Sequence, residues 1–211
     1  MAKKIDYRSR GTRLEKPIVI IMGDGLSEST YFELLNGLVD GVRIRVVSLK
    51  VAGWKKILSK CGGFVKNEGV DTSRDVAAIV TDEDGRYDIE TMEQFKRECE
   101  RKGYRLYLSN ISFEVWLLMH YEYLTKPMGQ EELEERIGQH LGRLYVKAKG
   151  IPITKGLVDK AICNVYRGQG SPSSGIECLD RNPSTMVGSL VECIFRLQSQ
   201  SSYDGSDGKK V

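Results

Sequence analysis

Residues 17–22, PIVIIM, run straight into Gly23-Asp24-Gly25, and this stretch decides the fold class. A continuous apolar, β-branched run without polar alternation makes a strand buried on both faces. Such strands belong to parallel sheets covered by helices. The Gly-Asp-Gly that follows is turn chemistry. Working outward, residues 29–38, STYFELLNGL, predict a helix that Ser27 or Ser29 can cap. Residues 42–49, VRIRVVSL, predict a strand, and a short amphipathic segment lies near 54–60. Residues 76–81, VAAIVT, form a second buried strand that ends in Asp82-Glu83-Asp84-Gly85. A charged amphipathic helix over 88–102 stops at Gly103, a strand follows over 104–108, and an apolar helix over 112–123.

Strands alternating with helices predict an α/β core over 17–124 with a mainly parallel sheet flanked by helices. Beyond residue 124 the pattern is helical near 129–143, 154–166 and 184–198, with no strand. Residues 125–199 therefore read as a helical C-terminal part of the same domain. Residues 1–16 form a basic N-terminal arm, and the Ser/Gly-rich residues 200–211 read as a disordered tail.

The 211 residues amount to one large domain, or one domain with a helical extension. Lys and Arg number 32 against 29 Asp and Glu, a net charge of +3 that permits nucleic-acid binding without demanding it. A hydrophobic share of 40% excludes a mostly disordered chain. No apolar run reaches the roughly 18 residues of a membrane span. The basic start lacks the apolar core of a signal peptide. The five cysteines are scattered without a C-x-x-C pair, which argues against a zinc ribbon and fits buried thiols in a reducing cytoplasm. In the arm, Lys3, Lys4, Arg8, Arg10, Arg13 and Lys16 face only Asp6 and Glu15. It reads as a solvated arm, or as one that follows a phosphate backbone through residues such as Arg10 and Arg13.

Both buried strands end in acid: the first in Asp24, with Glu28 close behind, the second in Asp82 and Asp84. Active groups of parallel sheets gather at this C-terminal edge. Clustered carboxylates repel one another unless protonated or bridged by a cation, and oxygen donors of this kind suit Mg2+ or Mn2+. D-x-D-G fits a solvent-facing turn as well. In SNISFEVWLLMHY, residues 109–121, Asn110 can cap a helix whose first turn carries Glu114, where a negative charge is favoured. Phe113, Trp116, Leu117 and His120 share one face of that helix, and Glu114 lies about 120° from His120 around it. In NPST, residues 182–185, Ser184 or Thr185 can cap the last helix; Asn182 or Thr185 could instead bind phosphate or position the acids.

Taken in order, DGLSESTYF at 24–32, TDEDG at 81–85, SNISFEVWLLMHY at 109–121 and NPST at 182–185 resemble the RloB-like family. The resemblance implies a compact Toprim-like α/β fold and a Mg2+- or Mn2+-dependent nuclease centre serving antiviral defence in prokaryotes. It also implies a partner ATPase of the RloA type, encoded nearby. Asp24 and Glu28 match the family's first acidic block, Asp82 and Asp84 its D-x-D, and Glu114 and His120 its third block. By this resemblance Asp24, Asp82 and Asp84 are metal ligands, and Asp24, Glu28, Glu114 and His120 are catalytic candidates. The first block departs from the pattern. Aligned back from Tyr31-Phe32 without a gap, Gly23 stands at the family's acid; closing one loop residue puts Asp24 there. A binding or regulatory subunit with a degenerate first motif is therefore the alternative to a nuclease. The wheel further sets Glu114 towards the acidic cluster and His120 behind it, as a support.

Overall fold

The computed structural model describes residues 17–169 and 181–204, apart from positions 24, 84 and 86. The chain begins with β1 (Ile18–Gly23), α1 (Leu26–Asn36), β2 (Arg43–Ser48) and α2 (Trp54–Asn67). It continues through β3 (Val76–Glu83), α3 (Ile89–Arg101), β4 (Tyr104–Asn110) and α4 (Glu114–Met119). Then come α5 (Gln130–Leu141), a single 3-10 turn (Lys147–Lys149), α6 (Lys155–Gln169), β5 (Ser184–Thr185) and α7 (Val187–Asp204).

The sheet order is β2-β1-β3-β4-β5. The first four strands run parallel, with Ile20 opposite both Arg45 and Ala77, and Ile79 opposite Leu106. Every residue of β1 is buried, as its unbroken apolar run requires. From β1 the chain steps outward to β2, then returns past β1 to β3, so the winding reverses between β1 and β3. Right-handed crossovers then put α1 on one face of the sheet and α2 and α3 on the other. The ring contacts agree: Trp54 of α2 stacks on Phe95 of α3 at 5.9 Å, while Tyr31 of α1 meets Trp116 of α4 edge-on at 5.9 Å. Asp75, just before β3, ties the start of β1 to it by accepting the Ile18 N–H at 3.0 Å.

The four parallel strands and the α/β class follow the sequence reading, and several details depart from it. The apolar helix expected over 112–123 is only Glu114–Met119, with all six residues buried; a helix apolar on every side is an interior one. Neither Ser27 nor Ser29 caps α1, whose N-cap is Gly25, because Ser29 Oγ donates to the Gly25 carbonyl and Ser27 turns elsewhere. Asn110 is the last residue of β4 and not a helix cap. α2 runs on through Gly62-Gly63 to Asn67. The region beyond 124 is not purely helical, because Ser184–Thr185 pairs antiparallel with Ser109–Asn110 as β5. The last helix extends to Asp204, five residues into the expected disordered tail. The N-terminal arm lies outside the described residues. Among the described residues no helix is long and apolar enough to cross a membrane.

Candidate functional site

In an open parallel sheet the crevice for a ligand lies beyond the C-terminal strand ends, where the winding reverses. Here that point is between β1 and β3. β1 ends at Gly23, and α1 carries Glu28 back over it, only 3% exposed. A Cβ built on Gly23 would lie 3.4 Å from the Glu28 Cβ and 3.7 Å from its Cγ. The Glu28 side chain therefore packs directly over Gly23, at ordinary contact distance from where a Cβ would stand. A Cβ on Gly25 would fall 2.0 Å from Glu28 Oε2, so a side chain at 25 cannot coexist with the carboxylate where it stands.

On the adjoining strand, Asp82 is partly buried opposite Ser109 of β4. Its neighbour Glu83 accepts the Gly85 N–H at 3.1 Å, a local turn bond. Glu28, on α1 over the end of β1, and Asp82, near the end of β3, thus lie at the same C-terminal edge of the sheet. Asp24, Asp84, Arg10 and Arg13 lie outside the described residues. Among the described residues no three His, Cys, Asp or Glu side chains converge as a metal cage. The donors at this edge are carboxylate oxygens, whose chemistry fits Mg2+ or Mn2+.

Glu114 opens α4 and is 1% exposed. Ser27 Oγ donates to its Oε1 at 2.6 Å, Tyr145 Oη donates at 3.4 Å, and Lys147 Nζ stands 3.3 Å away. Burial works to raise the Glu114 pKa, but the Ser27 hydroxyl and the Lys147 ammonium hold it below the ordinary carboxylate value. Lys147 also reaches Glu134 of α5 at 3.2 Å. Glu114 is thus a buried anion neutralised by protein groups, and it joins the first turns of α1 and α4 to the loop after α5. Sequence reasoning missed Ser27 in this role, and Tyr145 and Lys147 altogether. The last two lie in a loop with no periodicity, and only the packing of that loop brings them to Glu114.

His120 is fully buried. Its Nδ1 lies 3.0 Å from the Trp116 carbonyl, an acceptor, so the proton sits on Nδ1; Nε2 then accepts from Tyr31 Oη at 3.3 Å. The ring also packs edge-on against Trp116 at 4.9 Å and Tyr31 at 5.4 Å. Burial lowers its pKa to about 4, so the imidazole is neutral near pH 7. It braces α1 against α4 from within the core.

Asn182 exchanges two hydrogen bonds with the Met128 backbone, receiving the N–H at 3.3 Å and donating to the carbonyl at 3.1 Å. Thr185 Oγ1 accepts the Val187 N–H at 3.2 Å at the start of α7 and lies 2.8 Å from Ser109 Oγ. Asn182 thus ties the turn before β5 to the segment before α5, and Thr185 holds the start of α7.

The sequence matches the family described as RloB-like protein over residues 18–194, from the first residue of β1 into α7. The chain belongs to the RloB-like family. The match takes in all five strands among the described residues of this RloB-like chain and both acid-bearing strand ends of its sequence. No curated protein and no solved structure matches the chain.

Proposed function

We propose that this RloB-like chain is a Mg2+- or Mn2+-dependent nuclease of the Toprim type that hydrolyses phosphodiester bonds in nucleic acid as part of antiviral defence. The observation that carries this reading is the position of Glu28 and Asp82 at one sheet edge, at the winding reversal between β1 and β3. In this reading Asp82 holds the cation together with Asp24 and Asp84. When bound, the cation stabilises the charge that develops on the phosphodiester and activates water. Glu28, packed over Gly23 at the end of β1, completes the acid set around the cation. Glu114 acts as a positioning residue: by anchoring Ser27 it fixes the turn of α1 that presents Glu28. Arg10 and Arg13 of the arm hold the nucleic-acid backbone, and a neighbouring ATPase of the RloA type restrains the activity in the cytoplasm.

A second reading, a non-catalytic binding or regulatory subunit, is favoured by Gly23 itself, which leaves the end of β1 without its own acid. A cleavage assay separates the two. The purified full chain is incubated with plasmid, single strands and tRNA in Mg2+, Mn2+ or EDTA, with and without the ATPase. Cleavage that EDTA stops supports the nuclease. Retention of a nucleic acid without cleavage under every condition supports the binder.

A further inference from the structure

The sheet closes unevenly on its β4 side. β5 pairs only with Ser109 and Asn110, and the chain then turns into α7 after the Met186 N–H donates to the Leu108 carbonyl at 2.8 Å. Leu108 therefore directs its backbone groups away from β3. By the alternation of a strand, Leu106 and Tyr104 do the same. Among the described residues no strand pairs with this lower half of β4. An open strand edge is a template for another strand, and proteins that do not use such an edge blunt or cover it.

This edge lies at the floor of a groove of about 320 Å³ between α3 and α7. Lys96 of α3, Arg105 of β4 and Arg196 of α7 line it, against one acid, Glu100. Glu100 meets Lys96 only at 3.9 Å, an exposed pair that contributes little. The groove is therefore net positive. Arg105 is held on the α7 side, where its Nη1 lies 3.2 Å from Cys193 Sγ. A second copy of this chain fits poorly, because two-fold pairing of β4 edges would bring Arg105, Lys96 and Arg196 of both copies together.

We propose that the open edge of β4 is a docking site for an extended acidic segment of a partner protein, which adds to the sheet as a strand between α3 and α7. The backbone groups of Tyr104 and Leu106 supply the pairing, and carboxylates on the added strand meet Arg105 and Arg196. This inference is independent of the nuclease reading, since it concerns an edge strand away from the β1/β3 crevice.

The test uses the full chain and three fluorescein-labelled octapeptides followed by anisotropy. One alternates Glu and Val, one alternates Lys and Val, and the third is the Glu-Val peptide N-methylated on alternate residues. The Glu-Val peptide is expected to bind saturably and the Lys-Val peptide not at all. N-methylation, or the exposed change Arg196→Glu, should weaken binding roughly tenfold or more. Leu106→Pro, which removes an N–H directed to the open edge, should act like N-methylation; Arg196→Glu keeps the test decisive if that variant fails to fold. The proposal is overturned by absence of binding, by equal binding of the N-methylated peptide, or by binding unaffected by Arg196→Glu. Light scattering showing a dimer that Leu106→Pro splits would overturn it in favour of a second copy.

Discussion

Ser27 Oγ and Glu114 Oε1 lie 2.6 Å apart across 87 residues of sequence, and this bond fastens the first turn of α1 to the first turn of α4. Glu28 is the next residue along α1, so the position of this acid depends on an anion that itself never reaches solvent. Glu114→Gln is expected to keep the fold and lose most of any cleavage activity. Ser27→Ala should cost about 1.5–3 kcal/mol, the range for a hydrogen bond to a charged group. Urea unfolding and turnover measured on the same preparations separate the two effects. Equal losses in both would make Glu114 a packing residue only.

Gly25→Ala tests the placement of Glu28 without touching an acid. The backbone at Gly25 has φ −100°, which any residue adopts. The added methyl would meet the Glu28 carboxylate at 2.0 Å, the far end of a flexible side chain that can swing away. The variant should therefore keep a near-native melting temperature while cleavage drops. Unchanged cleavage would show that the present seat of Glu28 is irrelevant to chemistry.

His120 sets a pH dependence of stability. Its folded pKa of about 4 lies below the ordinary histidine value, so the unfolded chain takes up the proton first as pH falls. Stability should be full above about pH 6.5 and decline towards pH 4, by about 3 kcal/mol in all. His120→Ala should flatten that limb and cost about 1–3 kcal/mol near pH 7 by stranding the Tyr31 hydroxyl. Melting curves from pH 4 to 8 on both proteins check this. A limb of equal slope in the variant would assign the dependence elsewhere.

Asp75 acts at lower pH. Burial works to raise its pKa, but the N–H groups of Ile18 and Asp71 and the Arg74 guanidinium hold it below the ordinary value. Its stabilising contribution is present above the unfolded carboxylate pKa and is lost as pH falls through the lower folded value. Asp75→Asn should destabilise the protein at neutral pH and remove part of the acid unfolding limb, read by circular dichroism.

The strands were legible because PIVIIM and VAAIVT are long, unbroken apolar runs, and a strand buried on both faces needs such a run. The acid at the end of β3 was legible for the same reason, since VAAIVT runs directly into Asp82. β5 was not, because the two residues Ser184 and Thr185 carry no period and equally suit a helix cap; Thr185 does both. The environment of Glu114 was half legible. Its place at a helix start follows from local chemistry, whereas Tyr145 and Lys147 arrive through tertiary packing of a loop. Ser27 was misread as a cap, because local sequence offers a backbone partner and only the fold offers the buried carboxylate.

The central claim is that Glu28 and Asp82 belong to one divalent-cation site, and Mn2+ binding followed by electron paramagnetic resonance tests it most directly. Titrated into the wild-type chain, Mn2+ should lose its free-ion signal with a saturable stoichiometry, and Mg2+ should compete. Asp82→Asn and Glu28→Gln should each weaken that binding roughly tenfold or more while circular dichroism stays native. Wild-type protein that leaves the Mn2+ signal untouched, or variants that bind Mn2+ as tightly as the wild type, would contradict the account.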